Sequence, residues 1–411
     1  MGQQELGKRL KQARELSGIS QQHAADTIGI PRTAITQMEA GNRSVSTLEL
    51  TKLAELYRRP VMYFLEDSKE DEGEDVLVAL HRIELGLDND PAVKQQVDQY
   101  VEWCREGYSL ERLLGREERS GPPAYPEPIP RNAGEAVAQG ERIADQERSR
   151  LGIGMAPIAD ISDLINEQGI WASGANFPDS MSGLFLCHPS IGLAIFVNAS
   201  HIRARKRFSY AHEYAHSLLD RQLKITVSSY SNASELLEKR ANAFAAAFLM
   251  PESGIESLLD SLDKGKPSRV EKTIFDVATD GRIDTSVRPI PNSQRITYQD
   301  VAIVAHHFGV SYQAATYRLR SLNRISQREC ERLLEQVAVG REYLQVLDMF
   351  EDLEAPEDKK LWSREMRNHI VHLAIEAYRR EDISKGKLLD LSKSLKIPSD
   401  KMLNLAEAAC H

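Results

Sequence analysis

Apolar positions recur at helical spacing along most of this chain and form short strand-like runs only in one middle stretch. Near the start, Leu6, Leu10, Ala13 and Leu16, then Ala24, Ala25 and Ile28, then Ile35 and Met38 mark three short helices. Turn chemistry separates them. Ser20 can N-cap the second helix, Gly29 ends it, Pro31 opens the third, and Gly41-Asn42 closes that one. Ser46 then caps a fourth helix, Thr47 to Tyr57. Residues 66–75, EDSKEDEGED, hold seven acids and one lysine and read as a solvated linker. Helical periodicity returns over 76–118. Five prolines between Pro122 and Pro130 then exclude helix or inner strand, and this is the strongest expected boundary in the chain.

From Glu135 the pattern predicts helices to about Leu151 and over Pro157–Gln168, followed by strand-like GIWAS, SGLFLCH and GLAIFVNAS. Two strong helices follow, about His201 to Leu219 and Ser234 to Met250, the second stopped by Pro251. Residues 264–294 show no clear period and read as an extended excursion. From Thr297 onward the pattern is wholly helical. The expected fold is mostly α with a small β-sheet in the central domain, an α+β, multidomain chain. Its expected parts are residues 1–65, a stretch 66–133 made of an acidic linker, a helical segment and a Pro-rich linker, a domain 134–325 whose end (297–325) looks like a helix-turn-helix, and a helical region 326–411.

A chain of 411 residues that is 41% apolar can build several cores. Its net charge of -9 argues against coating nucleic acid through bulk charge. Residues 1–65 depart from that balance, with nine basic against six acidic side chains, so any DNA contact must be modular. Cys104, Cys187, Cys330 and Cys410 are scattered and suggest neither a disulfide framework nor a cysteine metal site. A polar start and the lack of any run of 18 apolar residues predict a cytoplasmic protein without a membrane span.

Within residues 207–220, RFSYAHEYAHSLLD, His212 and His216 are one helical turn apart on one face, so both imidazoles can reach one cation. With 11 histidines in the chain, such a His-Glu-x-x-His pattern is expected by chance roughly 0.03 times. A core helix alone would explain the stripe Phe208, Ala211, Ala215, Leu218 and Leu219, but not two buried histidines and a glutamate, which a divalent cation would satisfy. A third ligand is needed. Counting back from Ala241, Ala245, Phe248 and Leu249 on the next helix lands on Glu238 rather than Glu235, and Asn242 shares that face and can bond the second nitrogen of a ligand histidine.

RFSYAHEYAHSLLD followed by E-x-x-A-N-x-F-A-A-x-F-L-M-P resembles the ImmA/IrrE family of metallopeptidases, over about residues 135–325. The resemblance implies Zn2+, or Mn2+, held by His212, His216 and Glu238, with Glu213 as the catalytic glutamate. It also implies a repressor-like protein as substrate. Ser209 and Tyr210 stand where Thr and Leu are usual, and Tyr214-Ala215 where an apolar residue and Gly are usual. An oxyanion donor is expected, and Tyr210, Tyr214, Tyr230 and His306 are unranked candidates.

SQQHAADTIGIPRTAITQMEAGNR, residues 20–43, has helix-turn-helix spacing and resembles the phage-repressor (XRE) type over 5–65. The resemblance places Gln21, Arg32, Thr33 and Gln37 toward the major groove and Asn42 and Arg43 toward phosphates. A DNA site with two-fold symmetry would suit a homodimer. Residues 298–325 repeat the pattern around Gly309-Val310-Ser311, and are expected to be part of the central domain rather than a second reader. Their His306-His307 pair reads as a surface or core feature. A weaker echo, ISKGKLLDLSKSLKIPSDKM, lies near the end, where Trp362 and Tyr378 are expected in the core. Two functions follow: a zinc endopeptidase fused to a DNA-binding unit, regulating transcription by cleaving a repressor-like protein, or a DNA-binding regulator or antitoxin whose peptidase-like domain only senses or docks a partner.

Overall fold

The structure, a computed structural model, describes residues 3–16, 19–57, 61, 64, 91–116, 121–188, 191–223, 225–229, 235–265, 270–276, 281–287, 290, 293–349 and 363–409. The acidic run 66–75, Tyr230, Trp362 and Cys410 lie outside them. The chain divides into two compact units, Met1–Leu85 and Gly86–His411.

The first unit contains α1 (Gln3–Leu16), α2 (Gln21–Ile28), α3 (Arg32–Glu39) and α4 (Thr47–Leu56). Local chemistry sets their ends. The Ser20 hydroxyl accepts the His23 N–H at the start of α2, and Gly29 ends it at φ +77°, a left-handed conformation that glycine adopts without strain. Pro31 is the N-cap of α3 rather than its first helical residue. Leu10, Ala24, Ala25, Ile35, Met38, Leu50 and Leu53 close one small core. Across it, Arg14 Nε meets Glu39 Oε1 at 2.6 Å, tying α1 to α3. Both side chains are buried, so removing either partner would strand a charge at a cost of about 3–5 kcal/mol.

In the second unit the order is α5 (Pro91–Leu113), α6 (Ala133–Arg150), α7 (Ile161–Glu167), β1 (Ile170–Ala175), β2 (Met181–His188), β3 (Gly192–Asn198), α8 (Arg203–Leu219), β4 (Ile225–Ser229), α9 (Leu236–Leu249) and α10 (Glu252–Ser261). Then come β5 (Val270–Asp276), β6 (Gly281–Val287), α11 (Tyr298–Phe308), α12 (Tyr312–Ser321), α13 (Gln327–Glu335), α14 (Val337–Val346), α15 (Arg364–Arg379), α16 (Lys385–Ser394) and α17 (Ser399–Ala408). The main sheet has strand order β1-β3-β2-β4, with β1 parallel to β3 and the other pairs antiparallel.

Every residue of β1 is buried, because the sheet is covered on both faces. Ile170 and Ala172 join the core beneath α8, while Trp171 points the other way and meets His369 of α15 edge-on at 5.5 Å. Phe196 of β3 packs on Tyr100 of α5 at 5.4 Å. The Trp103 indole N–H of α5 donates to the Ser394 carbonyl at 3.2 Å. Helices from both ends of this unit therefore cover one face of the same sheet.

This corrects two expectations. The five-proline stretch excludes helix and strand as expected, yet it is not a boundary, since α5 before it and the sheet after it share one unit. The helical segment expected after the acidic run is α5, Pro91–Leu113. Residues 264–294, expected as an extended excursion, hold the β5–β6 hairpin. Its strands are mostly polar, so no apolar alternation announced them. β4 (ITVSS), whose apolar alternation is confined to Ile225 and Val227, was also missed and completes the main sheet beside β2.

Candidate metal centre

Helix α8 is buried along most of its length, and only its polar residues distinguish the two sides that matter. On one side, Tyr214 packs near Phe244 and Phe248 of α9, and its hydroxyl donates to Glu147 of α6, which also accepts the Tyr125 hydroxyl at 2.8 Å. That engagement removes Tyr214 from the oxyanion candidates. Tyr210 belongs to the apolar core, and His306 lies in the last turn of α11. His307 is exposed, and among the described residues the His306-His307 pair joins no cluster able to hold a metal.

On the other side, His212 and His216 converge with Glu238 of α9. One ligand atom from each, all within 4.8 Å of one another, could hold a single ion. His212 Nε2 lies 3.0 Å from Glu238 Oε2 and 3.2 Å from His216 Nε2, and His216 Nε2 lies 3.6 Å from Glu238 Oε1. The outer nitrogens are both held by oxygen acceptors. His212 Nδ1 is 3.0 Å from Asn242 Oδ1, and His216 Nδ1 is 2.8 Å from Asp220 Oδ2. With Nδ1–H donating in each ring, both Nε2 lone pairs aim at one point beside a carboxylate. Two imidazoles and a carboxylate are a donor set that fits zinc.

Asp220 and Arg240 were not legible in advance. Asp220 is the residue at which α8 ends, and its carboxylate turns back to His216 while its other oxygen accepts from the Arg240 guanidinium. Arg240 is almost wholly buried and also reaches Gln139 Oε1 at 3.3 Å. The chain of contacts runs from α6 through α9 to the end of α8, so three helices fix one imidazole. An aspartate four residues after His216 was the only sequence signal, and Arg240 offered none.

Without a metal the cluster shares protons. Burial disfavours the His216 cation, but the Asp220 and Glu238 hydrogen bonds and the Glu213 charge prevail and raise its pKa. Burial likewise opposes the Glu238 charge, yet hydrogen bonds with His212 and His216 hold its carboxyl below the usual range. Glu213 is 0% exposed and sits between α8 and β2.

The residues expected to touch DNA separate into two groups. Arg32, Thr33, Gln37 and Asn42 are exposed. Gln21 instead donates to Glu39 at 2.9 Å, and Arg43 pairs with Glu49 at 2.8 Å, so both already have internal partners.

The profile of the IrrE N-terminal-like domain, Peptidase_M78, matches residues 165–266, which include the whole histidine–glutamate cluster. A helix-turn-helix profile matches residues 10–64. A search of curated proteins gives no match. Among solved structures, "Crystal Structure of Bacillus thuringiensis PlcR in complex with the peptide PapR7 and DNA" aligns over 99% of each chain at 13% identity, with a TM-score of 0.16. A score that low carries no argument about fold.

Proposed function

From a chain that carries an IrrE N-terminal-like domain behind a helix-turn-helix domain, we propose a zinc-dependent endopeptidase joined to a DNA-binding unit, a regulator that acts by cleaving a repressor-like protein. The observation that carries this reading is the convergence of His212, His216 and Glu238 from two helices, with Glu213 one residue from a ligand. A zinc ion held there would polarise a scissile carbonyl and ease deprotonation of water. Glu213 then takes the proton from the attacking water and passes it to the leaving amine. Asn242 and Asp220 hold the imidazole tautomers throughout.

In the first unit, Arg32, Thr33 and Gln37 on the exposed face of α3 are proposed to reach base edges, and Asn42 a phosphate. Two copies would suit a symmetric operator. The test of the whole reading is elemental analysis together with incubation of candidate repressors. About one zinc per chain is expected, and cleavage should vanish in Glu213→Gln while zinc stays bound; a native protein without metal would sink the proposal.

A second reading is favoured by one observation, the complete burial of Glu213 and near-complete burial of the three ligands. In it the cluster senses or is stabilised by metal, and the domain regulates by docking a partner. Full regulation by Glu213→Gln would select this reading over proteolysis.

A further inference from the structure

Gly183 stands in the interior of β2, paired with Val197 of β3 and Ser228 of β4, beside an irregularity in the ladder at Met181/Gly183. Its backbone is not in the left-handed region, so no dihedral requirement calls for glycine there. A glycine inside a strand weakens it, and its presence commonly marks a close approach. Here the approach is by one side chain. A Cβ built on Gly183 would lie 2.7 Å from both Cγ and Cδ of Glu213 and nearer still to Oε1. Two residues along the same face of β2, Phe185 fits a whole ring into the core beneath α8. Side chains are therefore admitted on this face in general and excluded opposite Glu213.

We propose that Gly183 is a positioning residue: the missing side chain forms the seat of the Glu213 carboxylate and holds it in register with the His212–His216–Glu238 cluster. This rests on reading Glu213 as the proton acceptor of a hydrolytic metal site. Any side chain at 183 displaces the carboxylate from its place between helix and sheet. The strand gives up β-propensity at that position to keep the glutamate where it is.

The test is a double-mutant cycle on the full chain, read as urea midpoints in the presence of chelator, with a Co2+ spectrum alongside. Gly183→Ala should raise the unfolding equilibrium constant about ten-fold or more in the wild-type background, as overpacking does. In the Glu213→Ala background, where the carboxylate is gone, the same substitution should be neutral or stabilising. If the single variant fails to fold, a folded Gly183→Ala/Glu213→Ala protein supports the seat, and an equally unfolded one overturns it. Equal cost in both backgrounds also overturns it. In Co2+-loaded protein, the pH at which the visible bands change should move in Gly183→Ala in the same direction as in Glu213→Gln; an unmoved value would show a merely structural glycine. Absence of cobalt bands in the wild type would sink the metal reading, while the urea cycle still decides the seat.

Discussion

Two segments of this chain are built from the same local chemistry and end in different environments. In residues 20–43 a serine caps one helix, a left-handed Gly29 turns the chain, and α3 follows with Arg32, Thr33 and Gln37 in solvent. In residues 298–325 a left-handed Gly309 turns the chain, Ser311 caps α12, and there Tyr312, Ala315, Thr316, Arg318 and Leu319 are buried. The Gly309 carbonyl accepts from Arg207 of α8 at 2.9 Å, which fastens this turn to the helix carrying the histidine pair. Val301, Phe308 and Leu319 share a core with Phe185, Tyr214 and Phe248. A turn pattern thus specifies two helices at an angle. In α12 Tyr312 and Thr316 are covered where Arg32 and Thr36 of α3 are open, while Gln313 and Tyr317 stay exposed as Thr33 and Gln37 do.

The largest expected effect separates the two segments through the metal. Glu238→Ala should weaken zinc binding by about 100-fold or more, since it removes one of the three proposed ligands. Because residues 298–325 share the core beside the cluster, the loss should lower only the transition of the second unit in calorimetry, leaving DNA binding by residues 1–65 unchanged. A parallel loss of both would break the comparison. Next, Arg318→Ala should cost about 2–3 kcal/mol, because it removes a buried hydrogen bond to Met250 and the partner of Glu141. Arg32→Ala, at an exposed position, should change stability by less than about 0.5 kcal/mol while weakening operator binding. Denaturation midpoints and gel-shift titrations of the two variants give the answer, and reversed outcomes would refute the assignment of roles.

Smaller in effect, Asp220→Asn should weaken zinc affinity by about 10- to 100-fold, as loss of an orienting carboxylate does. Competition with a chromophoric chelator measures it. The pH dependence should be gentler still. The raised His216 pKa contributes stability that is full below pH 6.5 and lost as pH rises above it. The lowered Glu238 pKa contributes stability that is present above pH 4.5 and lost as pH falls. Chelated protein should therefore gain most from this cluster between pH 4.5 and 6.5. Zinc-loaded protein should gain most at higher pH, where protons no longer compete for the ligands. Urea midpoints against pH, with and without chelator, test the crossing.

Much of the candidate site was legible because its parts are close along the chain. His212 and His216 are an i, i+4 pair, and Glu238 and Asn242 are another on the following long helix, so helical spacing alone places each pair on one face. Asp220 lay within four residues of His216 but carried no distinguishing pattern. Gly183 and Arg240 were illegible: one acts through what it lacks, and the other resembles any basic residue on a helix. The β5–β6 hairpin went unread because an apolar alternation, the usual signal of a half-buried strand, is missing from it, and β4 because its alternation is so short.

Legible in the sequence alone were most of the helices, the Ser20 cap, the turns at Gly29 and Gly309, the strands β1–β3, and the two faces that carry the histidines and the glutamate. Those features depend on contacts within a few residues, which leave a period behind. Tertiary contacts alone settled that α5 and α15 cover the outer face of the sheet, that Arg240 reaches Asp220, that Glu213 rests on Gly183, and that Tyr312 and Thr316 of α12 are buried where Arg32 and Thr36 of α3 are exposed. Each of these joins residues far apart in the chain, and burial against a distant partner writes no repeat into either segment.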